Sequence, residues 1–269
     1  MLPKDRVACG TRAGDSESGC RVDLGLRNKV AVVTGGARGI GKAIAESLAI
    51  EGAAVAIFDR EGPSAQEAAR AVRDLGARAI GLEVDVSKSE AVDAAVAATV
   101  KELGGLHVMV CNAGITRDGP SWKMTDAQWQ SVLDVNLNGY FYCNRAAARV
   151  FKDQKQGRIV NVASINGLRG KFGQANYTAS KGGVIALSKT LAKELGKFNV
   201  NVNVVAPGMV LTEMMAAVPP EFQATALAET VLGRFATPQD VAELIVFLVS
   251  DRARHVTGEV IKIDGGQYI

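Results

Sequence analysis

The chain has 269 residues, 48% hydrophobic and 22% charged, enough to bury the core of one large α/β domain rather than two. Its formal charge of +3 comes from dispersed Lys and Arg, with no dense basic run to mark a nucleic-acid or membrane surface. The apolar stretches are strand-sized and broken by Gly or charge, far short of the roughly 20 residues a membrane span requires.

Residues 1–27 are largely polar and aperiodic, with Asp5, Asp15 and Glu17 among the basic residues, and they lack the apolar centre of a secretory signal. They are expected to form a flexible extension ahead of a single domain over residues 28–269. Cys9, Cys20, Cys111 and Cys143 show no CxxC spacing and read as idle or buried thiols in a reducing cytoplasm. His107 and His255 have no neighbours at ligand spacing, so no metal site is expected.

From Lys29, KVAVVTGG predicts a strand ending in a glycine-rich turn, and IGKAIAESLAIEG an amphipathic helix that stops at Gly52. The pattern repeats with AAVAIFD and a helix near Ser64 to Leu75, then with ARAIGLEVDV and a helix near Lys88 to Leu103. LHVMVCNAG supplies a fourth strand. Strands alternating with helices imply right-handed crossovers and a doubly wound parallel sheet of the nucleotide-binding kind.

In TGGARGIG, Gly35, Gly39 and Gly41 let the backbone turn sharply and approach a pyrophosphate, which the amides and dipole of the helix N-terminus would stabilise. Asp59 closes the next strand, where a carboxylate accepts from adenosine ribose hydroxyls and repels a 2′-phosphate. That favours NAD(H). Arg38 and Arg60 argue the other way, because either guanidinium can pair with a 2′-phosphate, and NADP(H) stays open. Asp85, ending the third strand, could reach an adenine edge or cap the following helix. Asn112, Ala113 and Gly114 form a small-residue turn that admits a dinucleotide closely.

One long helix is expected from about Thr125 to Lys152. It carries Asn136, whose poor propensity there implies either a specific partner or a solvent-facing side chain. The strand RIVNVAS places Ser164 at its end, with a hydroxyl able to donate to a substrate oxygen. Beyond Gly173 a second long helix sets Tyr177 and Lys181 on one face, a turn apart. Such a pair is either an ordinary surface contact or an acid with its tuner, since an ammonium favours phenolate and lowers a tyrosine pKa from about 10. FNVNVNVVAPG is a strand ending at Pro207 and Gly208, and Thr212 beyond it could bond the nicotinamide side of a cofactor. Residues 209–232 are apolar, Met-rich and twice interrupted by Pro, fitting a substrate lid or ordinary core equally. TPQDVAELIVFLVSD is a capped helix and GEVIKIDGG a last strand.

Together, TGGARGIG, Asp85, NAG at 112–114, Asn136, Ser164, YTASK at 177–181, PG at 207–208 with Thr212, and the closing DGG resemble the classical short-chain dehydrogenase/reductase family. The segments NAGITRDG, ASINGLRGKFGQANY and VNVVAPGMVLTEM are most similar to those of 3-oxoacyl-[acyl-carrier-protein] reductases. The resemblance implies a single-domain Rossmann-type α/β fold with seven parallel strands in the order 3214567, and a homotetramer. It implies a catalytic tetrad of Asn136, Ser164, Tyr177 and Lys181. Tyr177 would protonate a carbonyl oxygen polarised by Ser164, Lys181 would tune Tyr177 and hold the nicotinamide ribose, and Asn136 would position a relay water. Gly35, Arg38, Gly39, Ile40, Gly41, Asp59, Arg60, Asp85, Val86, Asn112, Ala113, Gly114, Tyr177, Lys181, Pro207, Gly208, Val210 and Thr212 would contact the cofactor. The implied substrate is a 3-oxoacyl thioester on a carrier protein or coenzyme A, with another small alcohol, ketone or sugar as the alternative, and a non-catalytic cofactor-binding regulator as a third reading. Asp59 departs from the NADPH use typical of such reductases. Lys152, Lys155, Lys193 and Lys197 could meet an acidic carrier or simply be solvated helix faces.

Overall fold

The computed structural model describes residues 23–216 and 218–269. Its seven strands are β1 (Val30–Thr34), β2 (Ala54–Asp59), β3 (Ala79–Glu83), β4 (Val108–Cys111), β5 (Gly157–Val162), β6 (Val200–Pro207) and β7 (Val260–Ile263). They form one all-parallel sheet in the order β3-β2-β1-β4-β5-β6-β7, the order the resemblance implied.

The helices are α1 (Gly39–Ile50), α2 (Gly62–Asp74), α3 (Ser89–Leu103), α4 (Asp126–Leu133), α5 (Gly139–Gln154), α6 (Asn166–Arg169), α7 (Ala175–Leu195), α8 (Glu213–Ala216), α9 (Pro220–Glu229) and α10 (Pro238–Val249). Successive strand residues point to opposite faces, and both faces are covered, so β1 is buried at every position. Ala31 and Val33 join the core beneath α1, α2 and α10, while Val30 and Val32 join the core beneath α3, α5 and α7. The strand order reverses between β1 and β4, and ligands of such sheets bind at that switch point, beyond the strands' carboxyl ends.

The expected helix from about Thr125 to Lys152 is interrupted. Thr125 caps α4 through a reciprocal box with Gln128, and a π-helical turn, Asp134–Asn138, joins α4 to α5. Leu133 and Gly139 keep right-handed helical dihedrals, so the rod is continuous and only its register shifts. The shift turns Asn136 inward to 0% exposure, which excludes the solvent-facing alternative.

The folded chain reaches back ahead of residue 28: Leu26 is buried in the core, Leu24 packs on it, and the amide of Asp251 donates to the Leu24 carbonyl at 3.0 Å. The expected extension up to residue 22, with Cys9 and Cys20, lies outside the described residues. Cys111 and Cys143 are free and buried, and His107 accepts from the Val30 amide through Nδ1 at 3.0 Å. Among the described residues no cluster of His, Cys, Asp or Glu could hold a metal, and no helix is long and apolar enough to cross a membrane. Residues 209–232 lie over the surface: Val210 and Ala226 are buried, Met209 and Met215 half-buried, and Phe222, Leu227, Val231 and Leu232 exposed.

Candidate active site

The glycine-rich turn sits at the carboxyl end of β1. Gly35 and Gly39 adopt φ of +60° and +55°, a region that penalises other residues. A Cβ on Gly41 would lie 2.1 Å from the Gly35 carbonyl oxygen, so the turn closes only with hydrogen there. A Cβ on Gly39 would lie 3.6 Å from the Thr212 side chain, so Thr212 faces the turn. Arg38 precedes α1 without capping it through its side chain, and the helix amides are available to a diphosphate.

Thr34 and Asn112 lock this turn to the neighbouring strand. The Thr34 hydroxyl accepts the amides of Asn112 and Ala113 at 2.9 and 3.1 Å, and Asn112 Nδ2 donates to the carbonyls of Thr34 and Gly35, both at 3.1 Å. The Thr34 clamp depends on β1 pairing with β4, which composition does not announce.

Asp59 ends β2 with both carboxylate oxygens in use, Oδ2 accepting from Ala37 N and Oδ1 from Glu61 N, each at 3.2 Å. The bond to Ala37 fixes the carboxylate beside the glycine-rich turn. Arg38 and Arg60 are exposed and each pairs with a carboxylate at 3.5 Å, Glu213 and Glu61 respectively. Asp85 closes a local turn on Ser87, accepting from its amide at 2.9 Å and its hydroxyl at 2.7 Å. Val86 is buried against Gly139, where a Cβ would come within 2.9 Å of it. Ile40 is half-buried at the start of α1. Pro207 closes β6 and accepts from Ile165 N at 3.0 Å, Gly208 admits Asp264 and Gln267 at 2.8 Å from its missing Cβ, and Val210 is buried.

The four expected catalytic groups converge beside this cradle. Ser164 follows β5, is 8% exposed, accepts from Asn166 N at 3.1 Å and lies close enough to the Tyr177 phenol to favour its phenolate form. Tyr177 and Lys181 share a face of α7, with the ammonium 5.9 Å from the Tyr177 ring centre. Lys181 is 3% exposed and donates to the Val162 carbonyl at 2.7 Å and to Tyr140 Oη at 3.0 Å. Gly114 stands between the groups: a Cβ there would be 3.4 Å from Asn136 Oδ1 and 3.7 Å from Lys181 Nζ.

Burial controls the charges. It lowers Lys181 from 10.5 to about 7, because an ammonium loses solvation in the interior. It also raises Tyr177 above 10, outweighing the lowering by the Ser164 side chain, with Asp118 adding to the rise. The expected lowering of Tyr177 by Lys181 is therefore not the dominant effect: burial outweighs it, and the ammonium is turned towards Val162 and Tyr140.

The family model described as enoyl-(acyl carrier protein) reductase matches residues 35–267. The chain is 40% identical over 248 residues to the 3-oxoacyl-[acyl-carrier-protein] reductase FabG of Aquifex aeolicus, covering 92% of this chain and 100% of the relative. It is 38% identical to the FabG of Escherichia coli, covering 91% and 100%, and 40% identical to the short-chain reductase protein NovJ of Streptomyces niveus, covering 90% and 94%. A solved structure described as a putative short-chain alcohol dehydrogenase from Sinorhizobium meliloti superposes with a TM-score of 0.88 at 36% identity, covering 91% of this chain and 98% of that one. With the sheet order, the glycine turn and the Ser164, Tyr177 and Lys181 cluster, these matches place the chain in the short-chain dehydrogenase/reductase family of nicotinamide-dependent oxidoreductases.

Proposed function

We propose that this enzyme reduces the 3-oxo group of an acyl thioester to the 3-hydroxy form, with NADH as the favoured reductant. The observation that carries the reading is the cluster of buried Ser164 and Lys181 with half-buried Tyr177, next to Gly114, two residues after the Asn112 that ties down the glycine turn. When bound, the nicotinamide supplies the hydride. Tyr177, kept protonated by burial, gives its proton to the carbonyl oxygen, and the Ser164 hydroxyl donates to the same oxygen. Lys181 contributes a positive charge beside the phenol as it becomes phenolate. The Asn136 side chain holds both backbone groups of Ile115, so it supports this site as a clamp.

Asp59 supports NADH, since its anchored carboxylate stands where a 2′-phosphate would have to be accommodated, and the two nearby arginines are already paired. The apolar rim supports an acyl substrate. Trp122, on a short 3-10 turn, and Phe172, on the loop before α7, are 74% and 78% exposed and meet edge to face at 6.2 Å, and residues 209–232 add a Met-containing lid. Lys193 and Lys197 lie at the far end of α7, about 24 Å of helix or more beyond Tyr177. With exposed Lys152 and Lys155 at the end of α5, they are solvated faces, not a dock for a carrier at this mouth. A cytoplasmic homotetramer, as the family resemblance implies, completes the reading.

Initial rates with acetoacetyl-CoA, using NADH and NADPH in parallel and crotonyl-CoA as a double-bond control, test it. Turnover of acetoacetyl-CoA with NADH preferred is expected. Turnover of crotonyl-CoA instead would favour the activity in the family model's description, and turnover of neither would assign the site to another alcohol or ketone.

A further inference from the structure

Lys181 carries three N–H donors, and two are accounted for by Val162 O and Tyr140 Oη. Tyr140 has a single hydroxyl hydrogen, and it too goes to the Val162 carbonyl, at 2.9 Å. Towards Lys181 the hydroxyl can therefore only accept. The ammonium also lies 4.6 Å from the centre of the Tyr140 ring, within reach of a cation–π contact. Tyr140 is 1% exposed, one residue after Gly139, the position that lets α5 press against Val86.

We propose that Tyr140 is a positioning residue: its hydroxyl and the Val162 carbonyl together hold Lys181 protonated, with one N–H left for the cleft beside Gly114. The inference rests on the role given to Lys181 above and not on the identity of the carbonyl substrate.

The ionisable groups facing the ammonium are Cys111 at the end of β4, Tyr140 on α5 and Tyr177 on α7, with Cys143 on α5 acting on Cys111 and Tyr140, and Asp118 acting on Tyr177. Burial pushes both Cys111 and Tyr140 well above their ordinary range, so at neutral pH they face Lys181 as dipoles and not as anions. Dipoles that accept from the ammonium therefore carry its stabilisation. Removing one of two such acceptors should cost about one pH unit in the titration of Lys181.

The test is Tyr140→Phe, which keeps the ring and deletes the acceptor. NADH binding to the substrate-free enzyme is followed by fluorescence from about pH 6 to about pH 9, where affinity should fall as Lys181 loses its proton. The midpoint of that fall should move about one unit lower in the variant, and the pH profile of kcat on any carbonyl the parent enzyme turns over should move with it. Coincident midpoints, or a uniform loss at every pH, would overturn the proposal and leave Tyr140 as packing alone. If the Phe variant does not fold, Tyr140→Leu carries the same expectation. Failure to reduce acetoacetyl-CoA would count against the substrate reading and leave this titration intact.

Discussion

Asn136 holds Ile115 at both backbone groups, its Oδ1 accepting the amide and its Nδ2 donating to the carbonyl, each at 2.9 Å. The π-helical turn aims the side chain inward, and Ile115 is thereby fixed one residue from Gly114, at the floor of the cleft. Asn136→Ala should leave two polar groups without partners and cost about 2–3 kcal/mol, read from denaturant unfolding, together with a fall in kcat. Asn136→Asp restores only the acceptor and sets a second oxygen against the Ile115 carbonyl, so it should be no better. Full stability in either variant would mean that the clamp is dispensable.

In the proposed reaction Tyr177 is the acid, with Ser164 beside it and Lys181 a helical turn away. Tyr177→Phe keeps the ring in its buried place and removes the transferable proton, so turnover should fall by about 10²–10⁴ while cofactor affinity persists. Steady-state rates with parallel fluorescence titration of the cofactor separate the two effects. A variant that keeps its turnover would assign the proton to another group.

The sheet was legible because its inner strands β1 and β2 are short apolar runs that end at a Gly turn or at Asp59, and burial on both faces demands such runs. Tyr177 and Lys181 were legible because helical spacing is local. Asn136 was visible only as a residue out of place, because the π-turn that employs it shifts register without leaving a mark on composition. Tyr140 gave no signal: beside Phe141, Tyr142 and Cys143 it looks like any core aromatic, and its meeting with Lys181 arises only when α5 and α7 pack on one strand. The pKa shifts were hidden for the same reason, since a Tyr–Lys spacing says nothing about how deeply both groups are buried.

Asp59 is a structural tie and, in the proposed reading, a cofactor gate as well. Asp59→Asn removes the charge that disfavours a 2′-phosphate and leaves one oxygen for two backbone amides. The kcat/KM ratio of NADPH to NADH should rise by about 10- to 100-fold, with part of the change arising as lost NADH activity. In that background Arg38→Gln should reverse some of the gain, because it removes a cation from the turn. An unchanged ratio in Asp59→Asn would show that the arginines already set the choice.

Lys181 couples function to stability. Below about pH 7 it is protonated in the folded and unfolded chain alike, and the folded form bears the full cost of a buried ammonium. Between about 7 and 10.5 the unfolded chain binds the proton more tightly, so this group's contribution becomes more favourable to folding as pH rises; above 10.5 both forms are neutral. Lys181→Met removes the charge but leaves the Val162 carbonyl its bond from Tyr140, so no acceptor is orphaned. The inactive variant should therefore be more stable than the parent near pH 6, by up to about 5 kcal/mol, with the gap in midpoint denaturant concentration closing as pH rises towards 10. A gap that stays constant across this range would show that Lys181 keeps an ordinary pKa in the folded chain, and that the surrounding dipoles fully offset its burial.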